Sequence, residues 1–133
     1  MKIELAKTEI IHFVGIGGIG MSGLALIMKG MGFRIQGSDI SLNKNIERLK
    51  KSKIKVTIGH QKKNVNKATI LVVSSAIKKN NPEVLSAKNK QLPIYKRGDM
   101  LAHIASLTKN IVVAGSHGKT TTTSLVASIF SKT

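Results

Sequence analysis

A chain of 133 residues with ordinary apolar content is long enough for about one domain with its own core. It holds no apolar run near the ~20 residues that cross a bilayer, and it has no cysteine for disulfides or thiolate metal sites. Twenty-two Lys and Arg against six Asp and Glu give a net charge of +16, which favours anionic ligands in general.

The start, Met1-Lys2-Ile3-Glu4-Leu5, carries an early acid and no long apolar core, which argues against a secretory leader and for a cytoplasmic protein. Ile10–Val14 then reads as a strand and runs into Gly15-Ile16-Gly17-Gly18-Ile19-Gly20. Gly15, Gly17 and Gly20 have the G-x-G-x-x-G spacing. Between a strand and a helix, such glycines permit a tight turn, close backbone approach to a pyrophosphate, and close helix packing. The helix N-terminal amides then face the anion. Read alone, the loop predicts a dinucleotide such as NAD.

A helix is expected over 19–31, with Met21, Leu24, Ala25, Met28 and Met31 at helical spacing as its core face, ended by Gly30 and Gly32. A short strand over 33–37 closes at Ser38-Asp39. Asp39 stands 19 residues beyond Gly20, where a carboxylate can accept from a ribose hydroxyl. It could equally cap the helix expected over 43–50, and the sequence leaves both readings open.

A third strand is expected over 53–58, followed by Gly59-His60 and a polar connection over 62–67. The region from Lys44 to Lys67 holds much of the positive charge. A nucleic-acid module would interleave aromatic platforms with it, and this stretch has none, so a solvated basic face is expected, with no specific nucleic acid and no membrane insertion. The near-continuous apolar run over 68–73 has the pattern of a central parallel strand. It ends in Ser74-Ser75-Ala76, small residues at a strand C-terminus, where open α/β sheets bind ligands. Asn81-Pro82-Glu83 starts another helix, an edge-like strand follows over 92–95, and a helix over 97–107. Five strands alternating with helices predict a Rossmann-like, doubly wound parallel α/β domain over residues 1–107.

The pattern then restarts. A strand is expected over 111–114, then Gly115-Ser116-His117-Gly118-Lys119-Thr120-Thr121, then a helix-like stretch over 122–130. Strand, loop ending Gly-Lys-Thr, and helix form the P-loop arrangement, here shortened, with its first glycine at Gly115. Backbone amides cradle phosphates, Lys119 reaches the β/γ oxygens and stabilises charge on a transferring phosphoryl group, and Thr120 or Thr121 supplies the Mg²⁺-side hydroxyl. ATP and Mg²⁺ are the expected ligands, and residues 108–133 the start of a second α/β domain. His12 and His103 lie within apolar elements and read as packed histidines; no His/Asp/Glu cluster has metal-ligand spacing.

Two phosphate loops in this order resemble the N-terminal part of the Mur ligase family. The matching stretches are His12 to Gly23, Gly37-Ser38-Asp39, Gly59-His60, Val72 to Ile77, Asn81-Pro82-Glu83 and Gly115 to Thr123. The Gly-Gly-Ile-Gly-Met-Ser form of the first loop favours the alanine-adding branch. The resemblance implies that the first domain holds the UDP of UDP-N-acetylmuramate, with Gly15, Ile16, Gly17, Gly18, Ile19 and Gly20 at its pyrophosphate. It places Asp39, His60 and Ser74 around the ribose, uracil and diphosphate. It also implies that ATP phosphorylates the substrate carboxylate and that the amine of L-alanine attacks the acyl phosphate. One departure, Arg97-Gly98-Asp99 in place of a bulkier acidic helix start, keeps an acid in the first turn and should matter little. The family continues well past this length, so the Mg²⁺-binding carboxylates and the alanine site are not expected here, and the chain alone is not expected to catalyse. The apolar stripe Leu125, Val126, Ile129 and Phe130 leads us to expect residues 108–133 to be mobile, loosely docked or paired with another copy.

Overall fold

The computed structural model describes residues 3–115, with side chains through 107. Five strands, β1 (Ile10–Val14), β2 (Arg34–Asp39), β3 (Lys55–Ile58), β4 (Ile70–Val73) and β5 (Ile94–Lys96), form one sheet in the order β3-β2-β1-β4-β5. Every pairing is parallel. Helices α1 (Ile19–Gly30), α2 (Lys44–Lys51), α3 (Pro82–Asn89) and α4 (Arg97–Gly115) alternate with the strands, and a single 3₁₀ turn, Lys62–Val65, carries the chain from β3 back to β4. The doubly wound α/β expectation holds.

Register assigns the faces. Ile11 pairs with Ile35 and Ile70, and Phe13 with Gly37 and Val72, so these side chains point together to one side. There they meet Met21, Leu24 and Met28 of α1, Leu49 of α2, and Met100 and Ile104 of α4 in the larger core. The methionine stripe is core, as its spacing predicts. Val14 and Leu71 point to the other side, against Val65 and Ala87. α3 shares that side with the 3₁₀ turn, and one buried atom there is left over. The Ser86 hydroxyl is buried with no hydrogen-bond partner. Ser86→Ala is therefore expected to raise stability by about 1 kcal/mol, read from urea denaturation.

Local chemistry sets the boundaries. Gly32, at φ +98°, reverses the chain after α1, with the Phe33 amide donating to the Met28 carbonyl. α2 begins at Asn43, whose side chain accepts from the Ile46 amide at 2.9 Å, so the cap reading of Asp39 is replaced. Lys53, expected to open a strand, instead adopts φ +65° and closes α2, with the Ile54 amide donating to the Leu49 carbonyl. The largest difference lies in α4, which continues through Gly115 where a strand is expected over 111–114. A four-residue apolar run does not distinguish the two states. A helix satisfies its backbone groups within itself, whereas a strand needs a neighbour. The remaining P-loop residues, Ser116 to Thr121, and the apolar stripe over 125–130 lie outside the described residues. No helix among the described residues is long and apolar enough to cross a membrane.

Candidate functional site

The strand order reverses between β1 and β4, so the loops leaving their C-terminal ends flank a crevice. The sequence placed Gly15–Gly20 on one of these loops and Ser74 on the other, and the fold brings them together. Gly15 has φ +85°, and a Cβ there would stand 3.1 Å from Ser74 Oγ and 3.2 Å from Ile77 Cδ1. Only glycine fits both the backbone and the gap.

The loop amides divide into two sets. Gly15 and Ile16 both donate to the Ser38 carbonyl, at 2.9 and 3.0 Å, and Gly18 donates back to the Gly15 carbonyl at 3.2 Å. Gly17 donates to Asp39 Oδ2 at 2.7 Å, while its carbonyl accepts from Asn45 Nδ2 at 2.9 Å and Asn43 Nδ2 at 3.3 Å. These four amides are spent on the shape of the loop. The amides of Ile19, Gly20 and Met21, the first turn of α1, have no acceptor among the described residues. They carry the positive end of the helix dipole and are the donors left for an anion.

Asp39 is thus neither helix cap nor an idle carboxylate. Its Oδ1 accepts the Ile40 amide at 2.7 Å and its Oδ2 the Gly17 amide. A carboxylate has about four acceptor sites, so capacity remains for a sugar hydroxyl. His60 follows β3 and is largely buried, with Nδ1 2.9 Å from Ser38 Oγ and 3.5 Å from Glu83 Oε2.

Arg97 was missed by the sequence reading. A Cβ on Gly20 would stand 3.0 Å from its Cδ and 3.2 Å from its Cζ, so the guanidinium lies over the start of α1. With Ser74, Lys78, Lys79, Lys88 and Lys96 it lines a cleft of about 570 Å³ at the ends of β4 and β5. The available signal was positional: Arg97 directly follows a parallel strand's C-terminal end. A second cleft of about 400 Å³, on the α3 side of β2 and β3, gathers Lys55, Lys63 and Lys67 from the basic stretch. Among the described residues no His/Asp/Glu group could hold a metal ion.

Glu83 is the other residue the sequence undervalued. It reads as a first-turn acid, yet its side chain is fully buried. Oε1 lies 2.6 Å from His12 Nε2 and accepts from Ser38 Oγ at 2.6 Å; Oε2 accepts from Asn64 Nδ2 at 2.7 Å and the Gln61 amide at 3.0 Å. Burial alone would push its pKa up, but the hydrogen bonds from His12, Ser38 and Asn64 outweigh it and bring the carboxyl down to about 2. The contacts also assign protons. His12 donates from Nε2 to Glu83 and accepts at Nδ1 from Gln36 Nε2 at 2.8 Å. Ser38 Oγ donates to Glu83, so it accepts from His60 Nδ1. The packed-histidine reading of His12 holds, and an imidazole inside an apolar strand was the one hint of a buried polar partner.

Comparison with known proteins follows the same lines. Residues 10–109 match the model of the Mur ligase family, catalytic domain. The chain is 82% identical over its whole length to UDP-N-acetylmuramate–L-alanine ligase of Pelagibacter ubique, covering 29% of that protein. It is 52% identical over 99% of its length to the ligase of the same name from Azorhizobium caulinodans, covering 28% of it. Among solved structures, the UDP-N-acetylmuramate–alanine ligase of Thermotoga maritima superposes with a TM-score of 0.67 at 33% identity, over 76% of this chain and 23% of that one. A UDP-N-acetylmuramate:L-alanyl-γ-D-glutamyl-meso-diaminopimelate ligase from Neisseria gives 0.65 at 28% identity, over 78% of this chain and 31% of that one. The chain thus spans a little under a third of the length of the curated relatives it matches.

Proposed function

The chain belongs to the Mur ligase family, and from that premise we propose that residues 1–107 form the UDP-sugar-binding domain of an ATP-dependent ligase that joins L-alanine to UDP-N-acetylmuramate in the cytoplasm. The observation that carries this reading is the set of unclaimed amides at Ile19, Gly20 and Met21, with Arg97 across Gly20 and Ser74 beside Gly15. That arrangement suits a diphosphate: helix amides take one set of oxygens and a guanidinium the other. Asp39 serves a ribose hydroxyl, and His60 stands at the uridine moiety.

The same proposal gives residues from about 108 onward to an ATP-binding unit. Gly115, Ser116, His117, Gly118, Lys119, Thr120 and Thr121 cradle the phosphates, and Thr120 or Thr121 faces Mg²⁺. A carboxylate is a poor electrophile until it gains a phosphate leaving group, so phosphorylation by ATP precedes attack by the alanine amine. The support for this half is the loop spacing and the names of the relatives.

Titration of the 133-residue chain with UDP-N-acetylmuramate, NAD(H) and a short oligonucleotide at physiological salt tests the first half. Saturable binding of the UDP-sugar is expected. Binding of NAD(H) with none of the UDP-sugar would overturn it, as would binding of the oligonucleotide alone, lost steeply with added salt. Arg97→Ala should weaken UDP-sugar binding about tenfold, the worth of one charge-assisted contact to phosphate, with little change in unfolding midpoint.

A further inference from the structure

We propose that Glu83 is the positioning residue of the glycine loop, reaching it from the far side of the crevice through Ser38 and the segment after β3. The proposal deepens the UDP-sugar reading and rests on it for the ligand.

All three amide anchors of the loop's N-terminal half converge on two residues, while the Gly17 carbonyl is held separately by Asn45 and Asn43. Gly15 and Ile16 hang from the Ser38 carbonyl, and Gly17 from the Asp39 carboxylate. What fixes Ser38 and Asp39 is therefore what fixes these three amides. Ser38 is fully buried, and its hydroxyl donates to Glu83 at 2.6 Å. The Asp39 carbonyl accepts the Gly59 amide at 2.7 Å. The turn that carries Gly59 is itself tied to Glu83, through the Gln61 amide at 3.0 Å and through Asn64, which donates to both the Gly59 carbonyl and Glu83 Oε2. Both routes end on one carboxylate.

That carboxylate belongs to α3, the helix entered from the Ser74 loop on the opposite side of the switch point. Glu83 is thus a buried tie between the two walls of the crevice. Its four donors come from separate elements: His12 from β1, Ser38 from β2, Gln61 from the turn after β3, and Asn64 from the 3₁₀ turn. Rigid support of this kind is what a phosphate loop needs, because donors misplaced by about 1 Å lose much of their effect. Glu83 touches no ligand in this account; it acts through the loop.

The test uses the 133-residue chain with UDP as the probe and ¹⁵N amide spectra as the second readout. Ser38→Ala cuts the first route while leaving the strand backbone able to pair. Glu83→Gln puts an amide where only acceptors fit. Gln36→Leu is the control, since Gln36 bonds His12 and the Asn64 carbonyl but reaches neither Ser38 nor Asp39. Ser38→Ala and Glu83→Gln are expected to move the Gly15, Ile16 and Gly17 amide resonances and weaken UDP about tenfold or more. Gln36→Leu should lower stability while holding UDP affinity within about twofold. Should Glu83→Gln fail to fold, Ser38→Ala decides alone. Unmoved loop amides with UDP affinity within about twofold of the parent would overturn the proposal, as would an equal loss in Gln36→Leu. If the parent chain binds no UDP, the UDP-sugar reading fails by itself, and the amide shifts in the free protein still decide whether Glu83 positions the loop.

Discussion

Glu83→Ala is expected to lower the unfolding free energy of the chain by about 4 kcal/mol, because it strands the buried donors of His12 and Ser38 and removes the acceptor of the part-buried Gln61 amide and Asn64 side chain. Domains of this size have about 5–15 kcal/mol in hand, so one substitution removes about a quarter or more of it. The carboxylate also dictates the acid response. In the unfolded chain it titrates near 4.5, and in the fold near 2. Above about pH 4.5 it is ionised in both states and its contribution is complete. As pH falls towards 2 the unfolded chain takes up the proton first, and about 3 kcal/mol of stability is lost across that window. With only six acids in the sequence, few other groups contribute there. Urea denaturation at pH 7, 4.5, 3.5 and 2.5 should show the fall in the parent and a flatter profile in Glu83→Gln. A parent profile no steeper than the variant's would show that the buried cluster does not hold the ionised form.

Gly37→Ala is the second large effect, expected to cost about 3 kcal/mol through overpacking at a site with no room to yield. A Cβ at Gly37 would stand 2.6 Å from Ile16 Cδ1, 2.8 Å from Ile16 Cβ and 2.7 Å from the Phe13 carbonyl oxygen. The isoleucine tip could move. The carbonyl belongs to β1, which pairs with β2 at this register, so relief requires β1 and β2 to separate. Ile16 is itself in the glycine loop, so the residue also couples stability to the site. Thermal unfolding should report the loss, and UDP affinity should fall with it. A variant as stable as the parent would mean that the strands part more easily than their register suggests.

These two residues mark where sequence reading stopped. The glycine loop, the five alternating strands and the methionine stripe of α1 were legible because each is a local pattern with a fixed period or spacing. Asp39 was legible as a position but not as a role: its distance from Gly20 suited ribose or cap, and the structure removes the cap, with Asn43 in that place and the Asp39 carboxylate on the Gly17 amide 2.7 Å away. Lys53 and residues 111–114 were misread because an apolar or basic run carries no mark of where its backbone hydrogen bonds end. Arg97 and Glu83 were passed over because their importance comes from what lies across from them, 77 and 71 residues away in sequence at Gly20 and His12.

The sequence by itself determined the class of fold, the order of its five strands, and a glycine loop at the end of the first strand, since glycine spacing and hydrophobic period are written locally. The tertiary structure alone decided which amides of that loop remain free. It did so by spending the amides of Gly15 to Gly18 on Ser38, Asp39 and Gly15 itself and leaving those of Ile19, Gly20 and Met21 open. It also decided that a first-turn glutamate would be the buried tie beneath them. Parallel pairing brings β1, β2 and the turns after β3 together over α3, and a carboxylate placed there must gather donors from all of them or stay unburied.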